Sequence, residues 1–452
     1  MTTAPGMRPA LGVTVVGLGT AIGSLDTAVN IAFPDIVRSL GIELGDIQWV
    51  VICYVLTYAS LMLVCGRLGD LFGHARLFRI GLAWSVAAFI ACALAPAFEI
   101  LLAARVAQGV GTAMVLAVGP ALATAYFPES SRARVLGAYT LLFALGGAVG
   151  PSLGGLLVDA MGWAGVFWFR APIALAALLL FRAPPAAADG GGAPRFDALG
   201  GVLLVLAVGC LLLGINRAAS GGWFGAALLL AALAAGAWFA LRSHPSPIIR
   251  LAPFRRPGFS IPAASNIAVN LVGFAVMLLV PFWLDRVAGL DVLTAGALLA
   301  LSPLGMALAS PFAGRWAQRR DGRLIAAAGA LAVAGGLAGV GLWGAAPGMA
   351  FVAGALLLHG AGLGIFQVAY LEVASASLPL VDRGVAGSLV MMTRTLGVVL
   401  GATGLMLAFN TVGGSFLYAF AAVFLGSAAI PVLAALALAF ATERASGPPA
   451  SR

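Results

Sequence analysis

The chain has 452 residues, 62% of them hydrophobic and 9% charged, with a mean hydropathy of +1.06. That balance excludes a water-soluble globular domain and points to an integral membrane protein. The formal net charge of +9 invites a nucleic-acid partner, but all 25 basic residues are arginine, and their placement answers to a bilayer instead.

Apolar runs of about 20 residues, each enough to cross a hydrocarbon core roughly 30 Å thick as a helix, recur from end to end. They number about fourteen: 11–33, 46–65, 77–95, 98–126, 134–157, 163–182, 198–216, 222–241, 259–284, 292–313, 324–343, 348–371, 385–409 and 415–441. The fold expected is an all-α integral membrane protein. Six spans form an N-terminal bundle over 1–182, and a Pro/Gly/Ala linker from Ala183 to Asp197 then leads to an inserted two-helix hairpin within 183–258. Six more spans form a C-terminal bundle over 259–441, followed by a short tail, 442–452. The N-terminal apolar run is interrupted by Asp26 and Asn30 and reads as a retained first span.

Taken in order, the first span carries the embedded acid Asp26 and the polar Asn30, and the second carries Tyr54. Between the second and third spans lies GRLGDLFGHAR, Gly66 to Arg76, expected as a charged turn on one face of the membrane. Arg105 falls inside the fourth span and Arg170 inside the sixth. Counted from the approximate span ends, Asp26, Arg105 and Arg170 each lie seven residues, about 10 Å, below one face. The fifth span holds Gly137, Gly146, Gly150, Pro151, Gly154 and Gly155. Gly146, Gly150 and Gly154 are four apart and share one helical face, a smooth groove for another helix, with a bend expected at Pro151. In the second half, Asn266, Asn270, His359, Gln367 and Glu372 are polar groups in or near spans and, with Asn30 and Tyr54, are candidates for lining a substrate cavity; Glu372 and Arg394, toward the cytoplasmic ends of the twelfth and thirteenth spans, pair or snorkel, unless Glu372 attracts a cationic substrate. Each of the amides lines a cavity or bonds between helices. Trp49, Trp163, Trp223, Trp283 and Trp343 fall near span ends and read as interfacial anchors. The four cysteines have no metal-like spacing, and no metal or cofactor site is expected.

With a cytoplasmic N-terminus, 19 arginines fall in inner loops and tails, 3 in outer loops and 3 within spans, which places both termini in the cytoplasm by the positive-inside rule. The two six-span blocks look like weak copies of one another, since Gly314-Arg315 follows the second span of the last block as Gly66-Arg67 follows that of the first.

These stretches resemble the major facilitator superfamily, in particular its fourteen-span drug:proton antiporter branch. GRLGDLFGHAR is similar to the superfamily's loop after the second span, with Gly66, Asp70, Gly73 and Arg76 in register. LLAARVAQGVG, Leu101 to Gly111, is similar to the fourth-span motif centred on an embedded arginine, here Arg105. The fifth-span glycines resemble a motif of antiporters, and LDTAVNIAFP, Leu25 to Pro34, that of the fourteen-span exporters. The resemblance implies a major-facilitator fold, two six-helix bundles around an inserted hairpin, with Gly66–Arg76 latching the halves in one state.

An embedded carboxylate is costly and therefore a functional candidate. Burial favours its protonated form and a neighbouring arginine the ionised one, so movement of Arg105 relative to Asp26 switches proton affinity, unless the two are a fixed structural ion pair. His359 is a second titratable candidate, or a packing residue. The function expected is proton-driven export of amphipathic organic compounds from the cytoplasmic membrane of a bacterium, by a functional monomer with no cofactor, no nucleic-acid partner and no enzymatic activity. A metabolite or siderophore exporter, or a symporter, would use the same scaffold. A non-transporting scaffold or sensor is a different class.

Overall fold

The computed structural model describes residues 9–126, 132–183, 197–218, 223–242, 257–317, 320–377 and 383–440, and all regular structure among them is helical. Most of both linkers and the C-terminal tail lie outside the described residues. Eleven described helical stretches are long and apolar enough to span a bilayer, and three shorter apolar helices occur at Leu145–Met161, Gly165–Leu180 and Leu199–Leu211. Eleven of the expected runs thus hold a helical stretch of spanning length among the described residues, and the other three hold described helix.

The first span is not one continuous helix. It runs as α1 (Pro9–Ser24), a 3₁₀ turn at Leu25–Thr27, α2 (Ala28–Ile31) and α3 (Phe33–Leu40). The break follows from side chains that compete for backbone carbonyls. Thr20 donates to the carbonyls of Val16 and Gly17, Ser24 to that of Ala21, and Thr27 to those of Ser24 and Gly147. The tighter turn carries Asp26.

The rest of the first half is α4 (Gln48–Phe72), α5 (His74–Ala93), α6 (Phe98–Thr124), α7 (Arg132–Met161), α8 (Gly165–Trp168) and α9 (Arg170–Leu180). The expected charged turn at Gly66–Arg76 is mostly helix: α4 continues to Phe72 and α5 begins at His74, leaving Gly73 alone as the corner. Gly73 has φ +91°, a conformation open to glycine and strained for other residues, so one residue suffices to reverse the chain.

The hairpin is α10 (Ala198–Ala218) and α11 (Trp223–Leu241), joined at its base by an ion pair between Asp197 and Arg242. The second half comprises α12 (Pro257–Arg286), α13 (Val292–Leu299), α14 (Leu301–Ala317), α15 (Gly322–Gly341), α16 (Met349–Ala376), α17 (Arg383–Val412) and α18 (Phe416–Phe440). The interruption between α13 and α14 sits beside Pro303, which cannot donate to the turn before it.

Helices α1–α9 pack mainly on one another, as do α12–α18. The halves meet along two seams, α7 against α13 and α14, and α4 against α17. Helix α10 covers the second seam, touching both α4 and α17. At one end of the first seam Arg38 donates to both oxygens of Asp285 at 2.8 and 3.0 Å, while Asp35 accepts from the backbone N–H of Trp163 at 2.8 Å. Phe33 stacks on Phe282 beneath them, with centroids 6.4 Å apart.

Two tryptophans depart from the interfacial reading. Trp283 and Trp343 are fully buried, their rings 4.7 Å apart and both within 6.4 Å of Phe420, so they form an aromatic core of the second bundle. Trp223 is 82% exposed, as an anchor requires.

Close packing in the second bundle depends on glycine. A Cβ on Gly360 would overlap the carbonyl oxygen of Ser302 on the neighbouring helix, a backbone atom no rotamer change can move. Gly360→Ala is therefore expected to cost about 3 kcal/mol and lower the thermal unfolding midpoint in detergent. Gly404→Ala, where a Cβ meets nothing within 4 Å, leaves the midpoint in place.

Candidate functional site

The 3₁₀ turn in the first span aims the Asp26 carboxylate at two other spans. Arg105 on α6 approaches end-on, with Nη1 donating to Oδ1 at 2.7 Å and Nη2 to Oδ2 at 2.8 Å, the paired geometry that suits a guanidinium and a carboxylate. Arg170, first residue of α9, adds a third bond, Nη1 to Oδ1 at 2.6 Å. Gln108, one turn beyond Arg105, donates to the same Oδ1 at 3.0 Å and accepts from Arg105 Nη1 at 2.8 Å.

The two guanidiniums are held in place independently of the carboxylate. Arg105 Nε donates to the carbonyl of Val50 at 2.8 Å, and Arg170 Nε to that of Val166 at 2.9 Å. Aromatic rings enclose them: Tyr54 lies 4.3 Å from the Arg105 guanidinium carbon, Phe89 lies 4.8 Å from that of Arg170, and Phe167 flanks both. Arg105 and Arg170 are fully buried, whereas Asp26 retains 15% exposure of its side chain. The cluster thus has one carboxylate, two guanidiniums, and one edge open to whatever fills the cleft. Arg170 Nη2 is buried without a hydrogen-bond partner among the described residues.

Three of the amides singled out in the second half come together. Asn270 donates to Asn266 Oδ1 at 2.8 Å, Gln367 donates to both amide oxygens at 3.2 and 3.0 Å, and Asn266 donates to Thr393 Oγ1 at 2.8 Å. Tyr370 shares the Thr393 hydroxyl at 3.2 Å. His359 lies outside this network, fully buried, with Nδ1 2.9 Å from Ser302 Oγ and Nε2 without a partner among the described residues. Glu372 is exposed near the end of α16 and joins neither group. Asn30 is buried in α2, and Tyr54 donates to the Gly23 carbonyl at 3.3 Å while its ring covers Arg105.

On α7 the shared face of Gly146, Gly150 and Gly154 meets Ala21, Ser24, Thr27, Ala28 and Ile31, so the groove holds the broken first span beside Asp26. Gly155 and Pro151 face the other way, against Val292 and Gly296 of α13 in the second bundle. Around Gly66 and Gly73 there is open space, and Arg76 is exposed. The side chain of Asp70 and the surroundings of Gly137 lie outside the described residues.

Sequence reasoning missed Gln108, whose signal was its spacing of three from Arg105 on one helix. It also missed Ser302, Tyr370 and Thr393, which sequence spacing alone does not connect to the groups they contact.

Paired helical bundles with an embedded charge cluster between their spans are the architecture of a secondary transporter. The chain matches the family model of the Major Facilitator Superfamily over residues 10–402, and it belongs to that superfamily. It is 31% identical over 392 residues to the multidrug resistance protein Stp of Mycobacterium tuberculosis, spanning 85% of this chain and 73% of that one. It is 32% identical to the tetracenomycin C resistance and export protein of Streptomyces glaucescens, over 87% and 74%, and 27% identical to the riboflavin transporter RibZ of Clostridioides difficile, over 86% and 85%. Among solved structures, the POT family transporter PepTSo shares the fold with a TM-score of 0.69 at 16% identity, covering 96% of this chain and 98% of that one. A D-xylose–proton symporter shares it with a TM-score of 0.68 at 15% identity, covering 94% and 96%.

Proposed function

We propose that this transporter exports amphipathic organic compounds across a bacterial cytoplasmic membrane in exchange for protons, by alternating access. The observation that carries the reading is the Asp26 carboxylate gripped by Arg105 and Arg170, with one edge still open. A proton and the guanidiniums compete for the same oxygens. Proton uptake therefore requires at least one arginine to withdraw, and rebinding of the arginine expels the proton. Because the three groups sit on different spans, that exchange is a movement of helices, which is what couples a proton to a change of access. The sequence relatives named for resistance and export support the outward direction.

The excess of arginine in the loops on the Gly66–Arg76 side supports a cytoplasmic position for that end and an outer one for the Arg38–Asp285 end. With Arg38 and Asp285 joined, the outer end is closed, and this arrangement is the one that accepts substrate from within. Gly66, Asp70, Gly73 and Arg76 form the complementary inner latch, and Asn266, Asn270 and Gln367 supply hydrogen bonds to polar parts of the cargo. The second reading, a carrier for one metabolite, is favoured by the riboflavin transporter among the relatives.

Inverted vesicles containing the protein test this directly. Adding a transported compound to energised vesicles is expected to dequench an internal pH-sensitive dye as protons leave in exchange. Compound accumulation with no proton movement, across a panel of antibiotics and riboflavin, would overturn the exchange mechanism.

A further inference from the structure

We infer that the cargo carries negative charge and that Arg394 is the group that anchors it. This rests on the transport reading above and narrows its amphipathic organic compound to an amphipathic anion.

Within the described spans the Asp26 carboxylate is accompanied by the guanidiniums of Arg105, Arg170 and Arg394. Arg394 stands eleven residues into α17, about 16 Å along a helix of 30 residues, at the edge of its apolar stretch Thr393–Val412. It is half-buried, and no carboxylate lies within ion-pairing distance of it among the described residues. The charge of Asp26 is already matched, because Oδ1 accepts from Arg105, Arg170 and Gln108 and Oδ2 accepts from Arg105. The embedded charge therefore has a surplus of two positive charges, in surroundings where the attraction of an anion is much stronger than in water.

The surplus is arranged along a line of side chains, buried at its Tyr54–Arg105 end. Arg394 lies within electrostatic reach of the Tyr58 phenol across the α4–α17 seam, and Tyr58 is hydrogen-bonded to Thr395 beside it. Tyr58 packs on Tyr54 with centroids 5.1 Å apart, and Tyr54 covers Arg105. A guanidinium, two aromatic faces and a second guanidinium thus run from one bundle to the other. Thr393, next to Arg394 in sequence, ties this line to the Asn266–Asn270–Gln367 network. A planar aromatic acid matches that order of groups: its anionic end on Arg394, its ring against the tyrosines, and its neutral polar groups on the amides. A lipophilic cation meets the same groups as repulsion.

Two dyes on one xanthene core, anionic 5-carboxyfluorescein and cationic rhodamine 6G, test the charge preference. Binding to the purified full-length protein in nanodiscs is followed by fluorescence anisotropy, and accumulation in proteoliposomes under a pH gradient is followed separately. Carboxyfluorescein is expected to bind at least about tenfold more tightly than rhodamine 6G, with Arg394→Gln erasing the difference and Arg394→Lys keeping most of it. Equal or tighter binding of rhodamine 6G, no binding of either dye, or a well-folded Arg394→Gln that binds carboxyfluorescein as before, overturns the inference. Should Arg394→Gln fail to fold, the preference of the unmodified protein decides the matter. Carboxyfluorescein that binds but never accumulates counts against the transport reading and leaves the anion site standing. Rhodamine 6G that accumulates without any anion preference does the reverse.

Discussion

Asp26→Asn is expected to abolish proton-coupled transport and also to destabilise the protein by about 3 kcal/mol. The two effects have different origins. Stability falls because the two buried guanidiniums lose the one carboxylate they contact among the described residues, and an amide oxygen cannot replace the charge that both Arg105 and Arg170 contact. Transport falls because an amide cannot carry a proton between the two sides. A purely structural ion pair predicts the first effect and permits the second only as its consequence.

The double substitution Asp26→Asn/Arg170→Gln separates them. It removes one positive charge and the buried, unpartnered Arg170 Nη2 together, so the cluster returns to the single positive charge of the unmodified protein. Most of the lost thermal midpoint is expected to return, while proton exchange in inverted vesicles stays absent. If proton exchange returns along with the midpoint, Asp26 is a structural pair and the carrier of the proton lies elsewhere, with His359 the next buried titratable group to replace.

How much of this was legible beforehand differs by length scale. Hydropathy places the helices, because a bilayer demands the same apolar run wherever a span occurs. The shared depth of Asp26, Arg105 and Arg170 came from counting residues, and the structure brings those three side chains together. The helical character of Gly66–Phe72 was hidden because its charges read as a loop, although a single glycine at position 73 makes the corner. Trp283 and Trp343 looked interfacial by position, yet their partner Phe420 lies on α18, distant in sequence. Arg38–Asp285 was equally hidden: it joins residues 247 apart, and nothing local distinguishes that arginine from a solvated one. Local pattern fixed depth; long-range packing fixed partners.

The second large effect is expected from Gly155→Leu, which acts on the seam between the bundles and not on the charge cluster. Helix α7 serves both halves at once. Gly150 and Gly154 hold the first span, whereas a Cβ at Gly155 would stand 2.6 Å from the Val292 carbonyl oxygen, and one at Gly296 the same distance from that of Pro151. These are backbone atoms, so a leucine at 155 is accommodated only if α13 moves away from α7. Each bundle keeps its own interior, and the displacement opens the end where Arg38 meets Asp285 and where Ile31, Pro34, Leu290 and Ala295 line the seam. Transport is expected to fall by about tenfold or more, because a bundle pair wedged apart at one end cannot complete the return half of the cycle. A cysteine at buried Ala295, in a background freed of the four native cysteines, reports the opening: labelling by a membrane-impermeant maleimide is slow in the parent and fast with Gly155→Leu. Gly147→Leu is the control, since a Cβ there meets nothing within 4 Å on the same helix. Equal labelling in all three proteins, with transport lost only in Gly155→Leu, would place the effect in local packing and remove α7 from the closing seam.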